Sequence, residues 1–191
     1  MVHLRYNRIE GFELDELEIN IISYLFSEPA HIRKIEREIG ISHSTILRKI
    51  GGMEKKGLID YLSLGRNKQY FVKKTLRTRK VLEIVESFKV FSLLKKHPFL
   101  EPLFMEMLKK CDSKMIILFG SYAKGISKEE SDIDIYVETD NVHVKKRLEE
   151  INSKISVKVG DFDTNSLLIK EIIKNHIVLR GADRFYEQVF G

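Results

Sequence analysis

Two stretches decide the reading of this chain: Lys114-Met115-Ile116-Ile117-Leu118-Phe119-Gly120-Ser121 and, after ten intervening residues, Asp132-Ile133-Asp134-Ile135-Tyr136-Val137. The first is an apolar run of strand length that stops at a glycine, with Tyr122 to Gly125 continuing as a helical turn. The second alternates in character. Side chains two apart on a strand share a face, so Asp132 and Asp134 point one way and Ile133, Ile135 and Val137 point into a core. Neighbouring carboxylates repel unless a cation sits between them. A hard divalent ion with oxygen ligands, Mg²⁺ above all, resolves that repulsion. Gly120 at a strand-to-helix junction allows close backbone approach, and the helix start offers N–H groups to an anion. Ser121 adds a hydroxyl. Asp132 and Asp134 are therefore candidate metal ligands, and Gly120 and Ser121 a candidate phosphate cradle.

The strand, Gly-Ser turn and paired-Asp strand together resemble the DNA polymerase β nucleotidyltransferase superfamily, and within it the minimal nucleotidyltransferases, over roughly residues 112–190. The resemblance implies an α/β (α+β) fold with a small mixed sheet and flanking helices. It also implies two Mg²⁺ ions, ATP or another NTP as substrate, and transfer of NMP to a hydroxyl. One ion would sit on Asp132 and Asp134, bridged to the phosphates. A second would activate the acceptor, held with the help of a third carboxylate on a neighbouring strand. Ile155 to Gly160 reads as that strand, leading to Asp161 and Asp163. The family sets its third acid between apolar residues. Here Asp161 follows Gly160, and Asp163 precedes Thr164. Alternation also puts Asp161 in line with the core-facing Val157 and Val159. Asp161 is preferred for its distance to the next helix; Asp163, or no third acid at all, remains open. Without that acid the domain would bind Mg–nucleotide and transfer poorly or not at all. Lys124 reads either as a triphosphate contact or as a solvated lysine. Leu167 to Lys174 reads as a helix, and Asn175 to Gly181 resembles the closing strand and turn of the minimal enzymes, with His176 structural. His143 reads as solvated.

Ahead of this lies a different module, expected over residues 1–74. Leu14, Leu17, Ile21, Ile22, Leu25 and Phe26 recur at helical spacing up to Pro29. Ile32, Ile35 and Ile39 mark a second helix closed by Gly40. Ser42 is a candidate N-cap for a third, with Ile46, Leu47, Ile50 and Met53 as its apolar set and Gly57 as its stop. Leu58 to Leu64 and Gln69 to Val72, around Gly65-Arg66-Asn67, read as a hairpin. The segments Ile41 to Ile50 and Glu54 to Ile59 resemble the recognition helix and wing entry of winged-helix regulators. That resemblance implies contact with double-stranded DNA. His43, Ser44, Arg48 and Lys49 would point outward from the third helix, and Arg66 and Lys68 would reach phosphate from the hairpin. The alternative is a protein–protein module with solvated basic residues. Gly51-Gly52, inside a helix, suits either close packing or a kink.

Residues 75–111 read as a helical connector, one long amphipathic helix before Pro98 and a second stretch from Leu100 to Leu108, which could also carry homodimerisation. Residues 112–191 form the third division. Charge follows these divisions. Residues 1–75 hold 13 basic and 10 acidic groups, residues 76–111 hold 8 and 4, and residues 112–191 hold 12 and 14. A basic front and an acidic back suit a polyanion-binding module joined to one that gathers carboxylates. A hydrophobic share of 43% with 32% charged residues argues against disorder. No apolar run reaches the roughly 18 residues of a membrane span, and Met1 to Arg8 do not read as a signal peptide. The lone Cys111 excludes an internal disulfide or thiolate zinc cluster and suits the cytoplasm.

Two functional readings follow. One is a nucleotidyltransferase acting on a hydroxyl acceptor, which the resemblance extends to a small helical partner protein in an antitoxin role. The other is a DNA-binding regulator whose degenerate nucleotidyltransferase domain binds nucleotide or dimerises. A purely structural adaptor is a distant third.

Overall fold

A computed structural model describes residues 13–65 and 67–191, which pack as two compact units, one ending at Thr78 and one beginning at Arg79. Arg66, expected at the hairpin tip, lies outside the described residues, as does the stretch Met1 to Arg8. Among the described residues no helix is long and apolar enough to cross a membrane.

The first unit runs α1 (Glu16–Ser27), α2 (Ile32–Ile39), α3 (His43–Lys55), β1 (Ile59–Leu64) and β2 (Asn67–Val72). A capping box starts α1, with the Asp15 carboxylate accepting from the Glu18 N–H and the Glu18 carboxylate accepting from the Asp15 N–H. Gly40, in the left-handed region at φ 74°, closes α2. Strands β1 and β2 form an antiparallel hairpin, pinned to the α1–α2 linker by paired hydrogen bonds between Ala30 and Tyr70. Ile21, Ile22, Leu25, Ile35, Ile46, Ile50 and Met53 fill the core. Leu47 does not join them. It is 47% exposed, because the buried stripe of α3 runs through positions 46, 50 and 53 and leaves 47 about 100° away. Neither α3 glycine is demanded by packing. A Cβ on Gly51 would meet nothing within 4 Å, and one on Gly52 would meet Glu18 Oε1 at 3.8 Å, an ordinary contact.

In the second unit, α4 (Leu76–Lys96) and α5 (Leu100–Lys110) precede a four-stranded sheet of order β5-β4-β3-β6. Its strands are β3 (Ile116–Phe119), β4 (Ile133–Glu138), β5 (Ile155–Gly160) and β6 (Ile177–Arg180). Strand β3 is antiparallel to β4 and β6, while β4 and β5 run parallel through the α7 (Val142–Glu149) crossover. The helices expected as a connector share this unit's core. Leu93, Leu100, Phe104 and Met107 pack with Ile116, Leu118, Ile133, Ile135, Val137, Val144, Leu148 and Val157. The other face of the sheet is covered in part by aromatic rings. Tyr136, Phe162 and Phe185 stack edge to face in sequence, with Phe185 and Tyr186 coming from α9 (Ala182–Phe190). Arg180 closes the C-terminus of α5 by donating to the Leu108 carbonyl at 2.6 Å and to that of Cys111.

Candidate active site

Asp134 sits where β3 ends. Its Cα partner across the antiparallel pair is Phe119, the last residue of β3, so the carboxylate hangs over the first residue of α6 (Gly120–Ala123). That residue has to be glycine. Gly120 has φ +69°, and a Cβ there would lie 2.1 Å from Asp134 Oδ2 and 2.9 Å from its Cγ. The Gly-Ser corner and the second acid of the pair are thus in van der Waals contact through the missing side chain.

Ile133, Ile135 and Val137 are buried in the core, which leaves Asp134 on the opposite, half-buried face, with the exposed Asp132 just before the strand. Burial raises the Asp134 carboxyl above its usual value, and the neighbouring Asp132 charge raises it further. The ammonium groups of Lys158 and Lys124 pull it partly back. A half-buried acid raised by its burial and by a neighbouring carboxylate, beside a backbone corner, fits one divalent cation with oxygen ligands. Ser121, partly buried, follows Gly120 at the start of a helix of only four residues.

The pair gains no third donor. Among the described residues no three His, Cys, Asp or Glu side chains come together as a metal group. Asp161 is not gathered with the pair. Asp134 is level with Ser156 and Glu138 with Gly160, so Asp161 lies beyond the far end of β5. Four strand residues span ~13 Å, several times a metal–oxygen bond. Asp161 is exposed, and its charge acts instead on Tyr136, whose hydroxyl donates to the Gly160 carbonyl at 2.7 Å and is pushed up by burial. Asp163 is exposed too and accepts from the Asn165 N–H at 2.9 Å.

What β5 presents on the Asp134 face is Ser156 and Lys158, because Ile155 and Val157 take the core side. The sequence reading did not single out Lys158. The signal was available, since the alternation that turned Asp161 toward the core side turns Lys158 to the other. Lys124 is engaged by Glu171 of α8 (Leu167–Lys174) at 2.6 Å, and meeting a phosphate would require exchanging that partner.

His176 is buried beside Glu86, at 3.4 Å. The Glu86 carboxylate also accepts from Lys89 at 2.6 Å, the Tyr186 hydroxyl at 2.6 Å and the Val178 N–H at 2.8 Å. Burial pushes the Glu86 carboxyl up, but Lys89 and His176 outweigh it and hold it well below the usual carboxylate range. Burial and the Lys89 charge lower His176, against the pull of Glu86. Its Nδ1 lies 2.9 Å from the Ile173 carbonyl, which suits a neutral ring donating there.

In the first unit, His43, Ser44 and Arg48 are exposed on α3, whereas Lys49 turns back to pair with Asp15 ahead of α1, with only 16% of its side chain exposed. Lys68 lies over the Tyr61 ring at 3.7 Å. His43 and Lys68 line a cleft of about 700 Å³ together with His31, Arg33, Lys34 and Arg37 of the α2 region. Those four escaped the sequence reading, which looked for cations only on the third helix and the hairpin. Several cations here already have acidic partners, among them Lys34 with Glu28 at 2.7 Å and Arg37 with Glu38 at 3.1 Å.

Residues 105–185 match the family model described as Polymerase beta, Nucleotidyltransferase, a span that runs from within α5 into α9 and includes both Asp132 and Asp134. No curated protein matches the chain. Among solved structures, the chain is similar to one described as a toxin-antitoxin with AMP-PNP, at 23% identity over 47% of this chain and 82% of that one, with a TM-score of 0.36. It is also similar to the hypothetical protein PyrSV_gp04 from Pyrobaculum spherical virus, at 12% identity over 87% and 94%, with a TM-score of 0.29.

Proposed function

We propose that the second unit is a divalent-metal-dependent nucleotidyltransferase that moves NMP from an NTP to a hydroxyl acceptor. One observation carries this reading: Asp134 rests on Gly120 with Asp132 beside it, inside the span that matches the polymerase beta family model. When bound, Mg²⁺ would neutralise the triphosphate and its pyrophosphate leaving group. Asp132 and Asp134 would hold it. The Gly120–Ser121 corner would orient phosphate oxygens through the Ser121 hydroxyl and backbone N–H groups, since glycine leaves the approach open. Lys124 would join only by leaving Glu171. In the transfer, an acceptor oxygen bonds to the α-phosphorus, the bond to the bridging oxygen of pyrophosphate breaks, and the acceptor proton is lost to solvent.

The acceptor we propose is a hydroxyl side chain of a partner protein, a small helical one in the antitoxin arrangement. The first unit would act as a winged helix on double-stranded DNA, through His43, Ser44, Arg48 and Lys68. The exposure of these side chains and the basic cleft beside two of them support that assignment.

The test is label transfer from α-labelled ATP with Mg²⁺ to candidate proteins. Asp132→Ala and Asp134→Ala should each reduce transfer at least ~100-fold. Transfer that survives both substitutions removes the site. A second reading, a DNA-binding regulator that binds nucleotide without transferring it, is favoured by the face of β5, which offers Ser156 and Lys158 where an acid is needed. Nucleotide binding without label transfer, together with salt-dependent binding to the DNA upstream of the coding sequence, would select it.

A further inference from the structure

Beside Asp134 the sheet continues onto β5, and register and alternation select the side chains that share its face. Ser156 is level with Asp134, and Lys158 is level with Tyr136, one pleat further along a strand that runs in the same direction. That pleat is ~7 Å of strand, within reach of a four-carbon side chain that leans back over it. Lys158 is exposed and Ser156 only partly so, and the ammonium is near enough for its charge to act on Asp134. A lysine head carries three donors and no lone pair. It cannot ligate a metal, and it repels one placed beside it. It can, however, bind the same anionic oxygens that a cation would. Among the described residues no third carboxylate, imidazole or thiol joins Asp132 and Asp134 to balance a further divalent charge.

We propose that the Lys158 ammonium supplies the positive charge beside Asp134 that a second divalent ion would otherwise bring. The site then takes up a nucleoside triphosphate with a single divalent ion, and Lys158 holds the α-phosphate oxygens as a positioning residue. This rests on the nucleotidyltransferase reading above. It makes the bound charge at this face partly fixed in the chain rather than drawn wholly from solution.

The experiment is Mn²⁺ titration of the full chain with saturating α,β-methylene-ATP, which cannot transfer its nucleotidyl group, read by electron paramagnetic resonance and equilibrium dialysis. The wild type binds one Mn²⁺ per nucleotide. Lys158→Met keeps one but weakens nucleotide binding roughly tenfold, the worth of one charge-assisted contact, while Lys158→Arg stays within about twofold. Lys158→Asp, which supplies the missing acid, raises the stoichiometry to two. Thermal melts of Lys158→Met and Lys158→Arg match the wild type because the side chain is exposed, while Lys158→Asp, which gathers a third acid, melts lower until Mn²⁺ and nucleotide are added. Two ions in the wild type, unchanged affinity in Lys158→Met, or a single ion in Lys158→Asp overturns the proposal. Absence of any nucleotide-dependent Mn²⁺ binding in the wild type instead overturns the nucleotidyltransferase reading beneath it.

Discussion

Replacing Gly120 with alanine separates two things glycine does at the corner, adopting a left-handed backbone and making room for Asp134. The added methyl would stand 2.1 Å from Asp134 Oδ2, 2.9 Å from Cγ and 3.1 Å from Cβ, so the carboxylate must swing away or the corner must open. The backbone alone, at φ +69°, costs an alanine ~1–2 kcal/mol. Gly125 is the matched control. Its φ is +72°, and a Cβ there meets nothing within 4 Å, so Gly125→Ala carries the backbone cost without the collision. Gly125→Ala should lose ~1–2 kcal/mol in urea denaturation, and Gly120→Ala, which adds the collision, at least as much. Only Gly120→Ala should also lose Mn²⁺–nucleotide affinity, by at least ~10-fold or about 1.4 kcal/mol, because displacing Asp134 dismantles half of the metal pair. Circular dichroism against urea gives the first quantity and a Mn²⁺ titration with a nucleotide analogue gives the second. Equal nucleotide affinities in the two variants would refute the argument that the Gly120–Asp134 contact builds the site.

Three further outcomes follow from the same structure. Gly51→Ala should stabilise the first unit by up to ~1 kcal/mol in denaturant titration, since the new methyl meets open space and the helix gains a better former; destabilisation would mean that the glycine has a packing duty. Arg180→Met should cost ~1.5–3 kcal/mol by stripping the Leu108 and Cys111 carbonyls at the end of α5 of their cationic donor, with the urea midpoint as readout and an unchanged midpoint as the contrary result. Acidification below pH ~6.5 should lower stability, because the folded chain holds His176 neutral by burial while the unfolded chain takes up the proton. His176→Gln should flatten that slope between pH 7 and 5.5, and an unchanged slope would place the acid sensitivity elsewhere.

Local rules reach some of this protein and stop at identifiable points. The strand, corner and acid pair were legible because alternation and the special role of glycine act within a few residues, and Asp134 lies over Gly120 as that pattern requires. Leu47 and Lys49 went astray for want of helical phase. Spacing alone admits either neighbour of Ile46 into the buried stripe, and only tertiary packing decides which positions turn inward. The Glu86 network could not be read, because its members come from positions some ninety residues apart and none forms a motif alone. The third acid is a different case. Looking for a carboxylate after β5 led to Asp161, while the parity of Ile155 and Val157 already assigned Ser156 and Lys158 to the Asp134 face. The periodicity of a strand states which residues face a site before it states which chemistry they bring. A lysine delivered there by that periodicity has to be weighed as part of the site, since its charge bears on Asp134 however the chain is used.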